Sequence, residues 1–244
     1  MTSAPLPPTL EQPGGDAKRS YVRQMFTAIA PRYDLLNHVL SLNIDRGWRR
    51  HAVRELRWSA SPAGSYLDLC AGTLDMAHEL ERQGGFRGRI VAADFALPML
   101  AYGRPKTRRV RPVGADALQL PFPDGAFDGC MVGFGVRNLT DLDRGLAEIA
   151  RVVRRGGRAV ILDLSTPRGW PVRPLYLFYF RRVLPLVGRL VSKHTAAYSY
   201  LPASVSQFAS PDQLAERLGR AGFRDVAARA LTLGVATLVS GTRA

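Results

Sequence analysis

Several features that mark particular protein classes are scarce or absent in this chain of 244 residues. It has two cysteines, Cys70 and Cys130, too few for a disulfide framework, and both fall in predicted core segments. It has no uninterrupted apolar run of the roughly 18 residues that a membrane-spanning helix needs. Its four histidines are scattered and follow no metal-binding spacing. We therefore expect a cytoplasmic protein with reduced, buried thiols and no metal site.

Acidic residues are also scarce, 20 against 34 basic ones, which gives a net charge of +14. Residues 164–211 contain no Asp or Glu, and arginines alternate there with aromatic and aliphatic side chains. Nucleic acid, an anionic membrane surface or an acidic substrate would suit such a charge, and a compositional bias toward arginine explains it equally well. We expect a peripheral membrane association and no nucleic-acid partner.

The arginine-interrupted segment 170–184 is the best candidate for that membrane contact. Its charges prevent it from crossing a bilayer, but it can lie at the interface and admit a polyprenylated molecule. A lid helix that covers the core is the alternative, and the two roles are compatible.

The order of segments predicts one domain after a short tail. Residues 1–17 are rich in proline and glycine and are expected to be disordered. Within the domain, residues 18–244, we expect four parts in chain order: a helical cap over 18–60, a cofactor-binding core over 61–165, a substrate lid or membrane-facing insertion over 166–209, and a C-terminal helix with strands over 210–244.

Strand and helix patterns alternate through the core, which predicts an α/β fold with a doubly wound, Rossmann-like, mostly parallel sheet. The last two of the seven predicted strands would form an antiparallel C-terminal edge. The predicted strands are 66–69, 89–93, 110–113, 127–132, 158–164, 226–231 and 235–242. The predicted helices between them are 74–82, 98–102, 142–153 and 212–221. Ligands of such folds bind outside the carboxyl ends of the strands.

The turn after the first strand, within residues 65–77, decides which ligand to expect. It carries one glycine, Gly72, whereas a dinucleotide-binding turn needs three to admit a pyrophosphate. Asp94 ends the second strand, where a carboxylate can bind the two hydroxyls of a ribose. S-adenosylmethionine contains a ribose and has no phosphate, so it fits this turn better. Any α/β domain with a glycine in its βα turn is the alternative.

Longer motifs are more specific. Residues 25–37 read MFTAIAPRYDLLN, residues 42–50 read LNIDRGWRR, residues 134–139 read FGVRNL and residues 197–204 read AYSYLPAS. With these motifs the chain resembles, over about 21–241, the C-methyltransferases that complete menaquinone and ubiquinone biosynthesis. The resemblance implies transfer of a methyl group from S-adenosylmethionine to a prenylated demethylmenaquinol, or to the corresponding ubiquinone precursor.

The resemblance also implies which residues bind the cofactor. Asp94 would bind the ribose hydroxyls, Phe95 would offer a ring face to the adenine, and Asp116 would accept a hydrogen bond from the adenine amino group. A single acid of this kind is often only a helix or turn cap, but three acids after three successive strands favour a binding cleft. The implied cofactor-binding residues are Asp68, Cys70, Gly72, Thr73, Asp94, Phe95, Asp116 and Ala117.

A substrate-side group is expected after the fourth strand. Methylation of a quinol ring carbon requires that a phenolic proton leave, and Arg137 and Asn138 could stabilise the oxyanion while Asp94 relays the proton. A structural Arg–Asp pair with Asn138 as a helix cap is the alternative. A homodimer is left open. The substrate residues implied by the resemblance are Tyr33, Arg137, Asn138, Tyr198 and Tyr200.

Cys70, Ala71 and Arg155 depart from the family pattern, but the most serious departure is Leu74, where the turn usually has a second glycine. If that position needs a positive φ angle, leucine costs roughly 1–2 kcal/mol or blocks the site. In that case the chain would be a catalytically altered or silent quinone-binding homologue. We expect instead that Leu74 is the ordinary first residue of the following helix, where leucine is favourable.

Overall fold

The computed structural model describes residues 15–167, 169–183 and 195–244. This described part of the chain contains one sheet of seven strands: β1 (Ser65–Leu69), β2 (Arg89–Asp94), β3 (Val110–Gly114), β4 (Phe127–Gly133), β5 (Val153–Leu164), β6 (Phe223–Leu231) and β7 (Ala236–Arg243). The strand order is β3-β2-β1-β4-β5-β7-β6. Strands β1 to β5 pair in parallel, and β7 runs antiparallel to both β5 and β6. The predicted fold and its antiparallel edge pair are confirmed, and the reversed strand is the inner member of that pair.

Helices flank the sheet and cover its carboxyl edge. In the described residues they are α1 (Gly15–Ile29), α2 (Tyr33–Leu40), α3 (Ile44–Glu55), α4 (Asp75–Glu81), α5 (Leu97–Gly103), α6 (Leu142–Val152), α7 (Val172–Phe178), α8 (Thr195–Gln207) and α9 (Pro211–Arg220). None of these helices is long and apolar enough to cross a membrane. Helices α1 to α3 form the expected cap. Residues 1–14 lie outside the described residues, so the disordered tail stays a prediction, as does the division of the domain into parts.

The two faces of the sheet bury separate cores, because successive side chains of a strand point to opposite faces. In β1, Tyr66 packs with α3 and α4, whereas Leu67 and Leu69 pack with α6 and α9. Both cysteines are free thiols, but the prediction that both are buried holds for Cys130 of β4 and not for Cys70, which is only partly buried. Asp68 therefore points to the face covered by α3 and α4.

Two glycines allow the close approaches that shape the carboxyl edge. A Cβ atom on Gly135 would lie 2.4 Å from Cβ of Cys70, so the turns after β1 and β4 touch only because this residue has no side chain. A Cβ atom on Gly103 would lie 2.4 Å from the carbonyl carbon of Thr73 and 2.6 Å from Cγ of Leu74. Helix α5 can therefore pack directly against the turn that follows β1.

The described first part of the insertion, α7 and the turn after it, has a buried face and an exposed face. Helix α7 continues as a π-helical turn over Tyr179–Val183. Tyr176 and Phe180 are buried against each other, with ring centroids 4.3 Å apart, while Leu175 and Phe178 are exposed. The segment therefore covers the core and still presents apolar side chains outward, which agrees with the compatibility of the two roles considered above.

Candidate functional site

The charged residues predicted for the site meet at the carboxyl edge of the sheet. Asp68 lies within β1, Asp94 ends β2, Asp116 follows β3 by two residues, and Arg137 and Asn138 form the short helical turn after β4. Parallel strands bring these positions together because all their carboxyl ends lie along one edge.

Asp94 fastens the turn that follows β1. Its Oδ2 accepts a hydrogen bond from the Gly72 N–H at 2.8 Å, and its Oδ1 accepts one from the Ala96 N–H at 2.8 Å. Burial raises the pKa of this carboxyl group, and the two N–H donors oppose that rise. The Phe95 N–H also interacts with this carboxylate, and a carboxylate has about four acceptor sites, so Asp94 can still bind a ligand hydroxyl while it holds Gly72 in place.

The Asp68 carboxylate is fully buried, and only one of its two oxygens accepts a hydrogen bond. Its Oδ2 accepts a hydrogen bond from the Ala77 N–H of α4 at 2.9 Å, but its Oδ1 has no hydrogen-bond partner. Burial raises its pKa to about 8, and the nearby carboxylates of Asp75 and Asp94 add to the rise. An orphaned buried acceptor is costly. A cationic ligand group bound beside it would remove that cost and lower the pKa, so Asp68 fits the amino group of a cofactor such as S-adenosylmethionine.

The turn itself has an unusual backbone, and the expectation for Leu74 is wrong. Cys70, Gly72 and Leu74 all have positive φ angles, 55°, 51° and 66°. Leu74 is the residue before α4, not its first residue, and it has the left-handed conformation that favours glycine. Its side chain is fully buried in the core between α4 and α5, so it does not obstruct the cleft. Core packing offsets the conformational cost of leucine at this position.

A narrow cleft above this turn has a volume of about 70 Å³. Cys70, Gly72, Asp94, Phe95, Asp116 and Ala117 line it, so six of the eight predicted cofactor residues surround one space. The other two, Asp68 and Thr73, lie beneath it in the buried core. Ligand pockets usually enclose about 300–1,000 Å³. A nucleoside cofactor therefore requires that some wall of this cleft move.

Helix α1 closes the end of the cleft where Asp116 lies. Arg19 of α1 lines the cleft, and its Nη2 lies 2.6 Å from Oδ2 of Asp116. Lys18, the residue before it, donates a hydrogen bond to the Leu139 carbonyl oxygen at 2.8 Å. The other oxygen of Asp116 accepts from the Leu118 N–H at 3.0 Å. Both oxygens of the acid predicted to bind adenine are thus already engaged, one of them by a side chain that the sequence reasoning missed.

A network of charges, also missed, ties the N-terminal cap to the turn. Lys106 Nζ bridges Asp34 Oδ2 of α2 at 2.5 Å and Asp75 Oδ1 of α4 at 2.6 Å. The hydroxyl of Thr73, one of the implied cofactor-binding residues, donates to Oδ1 of Asp34. Arg49 of α3 lies 3.2 Å from Asp75 Oδ2. These contacts connect α2 and α3 to the two residues on either side of Leu74.

Arg137 forms the structural ion pair that was the alternative for this position. Its Nη1 lies 2.6 Å from Oδ1 of Asp163 at the end of β5, and the same nitrogen donates to the Phe134 carbonyl oxygen at 2.5 Å. Burial opposes the charge of the guanidinium, but Asp163 keeps the pKa of Arg137 above its usual value. The Nε of Arg137 is buried and has no partner. Arg137 is therefore paired and still has one donor free for a ligand.

Asn138 connects the strand end to the lid helix. Its Oδ1 accepts a hydrogen bond from the Tyr200 hydroxyl of α8 at 3.1 Å, and its Nδ2 donates weakly to the Phe134 carbonyl oxygen at 3.4 Å. Burial raises the pKa of Tyr200 to about 12, so the hydroxyl keeps its proton at neutral pH. Tyr198 lies on the same helix, but its side chain is outside the described residues.

A second cavity, with a volume of about 570 Å³, adjoins the cleft under the cap. We call it the chamber. Apolar side chains of the cap, α7 and α8 form most of its wall, and Arg137 and Tyr200 face into it. Three aromatic residues, Phe26, Tyr33 and Phe134, line both the cleft and the chamber. The boundary between the two spaces is therefore an aromatic wall, with Arg137 on the chamber side and Asn138 on the cleft side.

Two of the residues that were not predicted, Asp34 and Asp163, stand at positions in the sequence that could have indicated them. Asp34 lies inside the motif of residues 25–37, directly after Tyr33. Asp163 stands near the end of the fifth predicted strand, the position at which the other acids were recognised. Arg19 and Lys106 had no such signal, because each acts through a contact with a residue distant in sequence.

Comparisons with known proteins agree with this geometry. The model of the ubiE/COQ5 methyltransferase family matches residues 15–243. The demethylmenaquinone methyltransferase of Thermus thermophilus is 46% identical over 90% of this chain and 100% of its own length. The ubiquinone/menaquinone biosynthesis C-methyltransferase of Geobacter sulfurreducens is 44% identical over 93% of this chain and 90% of its own. Among solved structures, the [4+2]-cyclase SpnF matches with a TM-score of 0.65 and 15% identity, covering 100% of this chain and 99% of that one, which shows the fold alone.

Proposed function

We propose, because the chain belongs to the ubiE/COQ5 methyltransferase family, that it methylates a ring carbon of a prenylated demethylmenaquinol. Family membership makes it an S-adenosylmethionine-dependent C-methyltransferase of quinone biosynthesis, as expected from the sequence. The identity of the quinol is the proposed part. Relatives named demethylmenaquinone methyltransferase support it, at 46% and 42% identity over 90% and 100% of this chain.

The observation that carries the proposal is the aromatic wall between the cleft and the chamber. The cofactor supplies an electrophilic methyl group on a sulfonium, and the ring carbon must face it in line. A flat quinol ring in the chamber would lie against Phe26, Tyr33 and Phe134, which are shared with the cleft. The apolar remainder of the chamber would take the prenyl tail, and closure of the wall around the rings would exclude water.

Arg137 would act on the quinol oxygen. Its unpartnered Nε is the donor that could stabilise the oxyanion formed when the phenolic proton leaves. Asn138 and Tyr200 would position the ring through their mutual hydrogen bond. Asp94, the candidate relay acid, lines the cleft and not the chamber, so a proton relayed to it must pass the aromatic wall. This relay stays a prediction.

The experiment uses purified protein, methyl-labelled S-adenosylmethionine and, in parallel reactions, a reduced demethylmenaquinol or the ubiquinone-precursor benzoquinol, each with a short prenyl chain. Label in the extracted naphthoquinol would support the proposal. Label only in the ubiquinone-precursor benzoquinol would favour the alternative substrate. A silent quinone-binding homologue would give neither product, and calorimetry would show no heat on addition of the cofactor. Leu74 does have the positive φ angle on which this last alternative depends, but its side chain is buried and does not obstruct the cleft.

We also propose that the protein associates peripherally with anionic membranes, where a polyprenylated quinol resides. The exposed Leu175 and Phe178 of α7 and the absence of acidic residues from 164 to 211 support this. The cytoplasmic location and the homodimer stay predictions, and sedimentation at several protein concentrations would test the latter.

A further inference from the structure

The chamber opens at a group of exposed apolar side chains. Most apolar residues that line it are shielded from solvent, but Leu42, Ile44 and Leu175 are exposed by 75%, 42% and 70% and line it as well. Leu42 and Ile44 belong to the corner between α2 and α3, and Leu175 belongs to α7. We call these three residues the portal rim. Clusters of exposed large apolar residues at the entrance of a cavity mark a contact with lipid, a ligand or another macromolecule.

The backbone of the corner between α2 and α3 fixes the exposed position of Leu42. Leu42 and Asn43 are consecutive non-glycine residues with positive φ angles, 53° and 60°. Such angles are unfavourable for leucine, and strained residues of this kind are found chiefly where function requires them. Backbone hydrogen bonds fix the corner, from Asn43 N–H to the His38 carbonyl at 2.8 Å and from Ile44 N–H to the Ser41 carbonyl at 3.0 Å. Leu42 is therefore presented by a defined turn.

Positive charge surrounds the portal rim. Arg46 and Arg50 are exposed on the first two turns of α3, and Arg173 is exposed on α7. The acid of α3 nearest to them, Asp45, is buried and forms an ion pair with Arg49. The acid of α2, Asp34, is bound by Lys106. Among the residues that the structure describes, Arg46, Arg50 and Arg173 form no ion pair with an acid. The outer surface of the corner thus combines apolar side chains with free positive charge, the pattern that binds the interface of an anionic bilayer.

We propose that the portal rim inserts into the interfacial region of an anionic lipid bilayer, with Arg46, Arg50 and Arg173 at the lipid phosphates. The chamber then opens directly toward the acyl chains, and a prenyl tail enters it from the lipid without crossing water. The choice of a bilayer as partner follows from the charge and from the continuity of the rim with the chamber. The proposal rests on the proposed function only for the identity of the molecule that enters.

The first test measures binding of the full chain to vesicles in the absence of substrate. The vesicles contain phosphatidylcholine with about a third of phosphatidylglycerol, so that arginine contacts are favourable. Each arginine at such a surface contributes about fivefold in partition. The double variant Arg46→Gln/Arg50→Gln should therefore bind about 25-fold more weakly at low ionic strength. The matched control Arg108→Gln/Arg111→Gln, which removes two exposed arginines at the amino end of β3, should bind like the wild type.

The second test concerns insertion of the rim itself. Leu42→Glu should reduce vesicle binding at least tenfold, because it places a charge where an apolar side chain enters the lipid. Leu97→Glu changes a leucine of α5 that is also exposed, by 60%, beside the opposite edge strand β3, and should leave binding unchanged. Equal binding of Leu42→Glu and wild type, or no binding of wild type, would overturn the proposal. So would a dimer in solution that Leu42→Glu dissociates, since a second copy would then cover the rim.

A third measurement separates this inference from the proposed function. With a short-chain quinol in detergent, Arg46→Gln/Arg50→Gln should keep the kcat and KM of the wild type, because neither arginine lines the cleft or the chamber. With a long-chain quinol in vesicles, the apparent KM of this variant should rise by the factor lost in binding. Absence of any wild-type turnover in detergent would refute the proposed function. Turnover in detergent with an unchanged KM in vesicles would refute the membrane portal alone.

Discussion

Nη1 of Arg137 lies 2.6 Å from Oδ1 of Asp163, which joins the ends of β4 and β5 beside the chamber. Both side chains are nearly inaccessible to solvent. A buried pair of this kind contributes little net stability, but removal of one partner leaves an uncompensated charge and costs about 3–5 kcal/mol. The pair therefore holds a cation beside the chamber, and the fold depends on its remaining paired.

Substitutions of Arg137 and Asp163 should affect the free energy of unfolding and the rate of methyl transfer differently. Asp163→Asn leaves the Arg137 charge unpaired and should lower the free energy of unfolding by about 3–5 kcal/mol. The double variant Arg137→Leu/Asp163→Leu removes both charges and should recover most of that stability without recovering turnover. Urea unfolding and single-turnover methyl transfer measure the two effects. Arg217→Leu, which breaks the exposed pair with Asp143, is the control and should alter neither by a measurable amount.

Arg137→Ala and Asn138→Ala should both reduce turnover at least tenfold and leave the affinity for S-adenosylmethionine largely unchanged. The reason is that Arg137 faces the chamber and that Asn138, on the cleft side of the aromatic wall, is hydrogen-bonded to Tyr200 of the chamber wall. Tyr200→Phe should resemble Asn138→Ala, since it removes the same hydrogen bond. Calorimetry with the cofactor provides the check, and a collapse of its affinity in Arg137→Ala would contradict the assignment.

The pH dependence of stability should reveal Asp68. Its pKa is about 8 in the folded protein and roughly 3.9 in the unfolded chain, so the folded state binds the extra proton between these values. The contribution of Asp68 to the free energy of unfolding is fully present below about pH 4. It is lost as the pH rises through 8, at a rate of at most about 1.4 kcal/mol per pH unit. Asp68→Asn should flatten this slope in urea unfolding series, whereas the exposed Asp143→Asn should retain it.

Leu74→Gly tests how the turn tolerates its leucine. Glycine relieves a positive φ angle worth about 1–2 kcal/mol. It also empties a fully buried site, and truncation of a buried leucine costs about 2–5 kcal/mol. The net effect should be a loss of about 1–3 kcal/mol in unfolding free energy, with cofactor affinity nearly unchanged. A cofactor affinity that rises tenfold or more would show that the leucine does reach the cleft.

Arg19→Met should accelerate cofactor binding. Arg19 occupies Asp116 and closes a cleft too small for a nucleoside, so its removal should raise the association rate several-fold. Stopped-flow fluorescence with S-adenosylmethionine measures this rate. Arg23→Met, at an exposed arginine one turn further along α1, serves as the matched control. Equal rates for wild type and both variants would mean that α1 does not limit entry.

The sequence predicts those parts of the molecule that depend on a pattern of neighbouring residues. Alternating βα patterns predict the sheet, and the acid at each strand end predicts the edge where Asp68, Asp94 and Asp116 meet. The conformation of Leu74 could not be predicted in this way, because its local propensity favours a helix. Its left-handed angle occurs where α5 approaches the turn at Gly103, a contact between segments that are distant in sequence.

Contacts between distant segments were beyond sequence reasoning for the same reason. Arg19 meets Asp116, and Lys106 meets Asp34 and Asp75, only after the cap has docked on the sheet. A charged residue on an amphipathic helix has many partners that are sterically possible. The fold selects one of them, and no spacing in the chain records that choice.

Lys106 has a kinetic consequence. Its two ion pairs join α2, which begins at Tyr33, to the turn that follows β1. The chamber wall at Tyr33 and the cleft floor at this turn are therefore expected to move together. An enzyme constructed in this way should follow compulsory order, in which the methyl donor must load before the acceptor gains a competent surface. Product inhibition by demethylated cofactor would then be competitive toward the donor and noncompetitive toward the quinol.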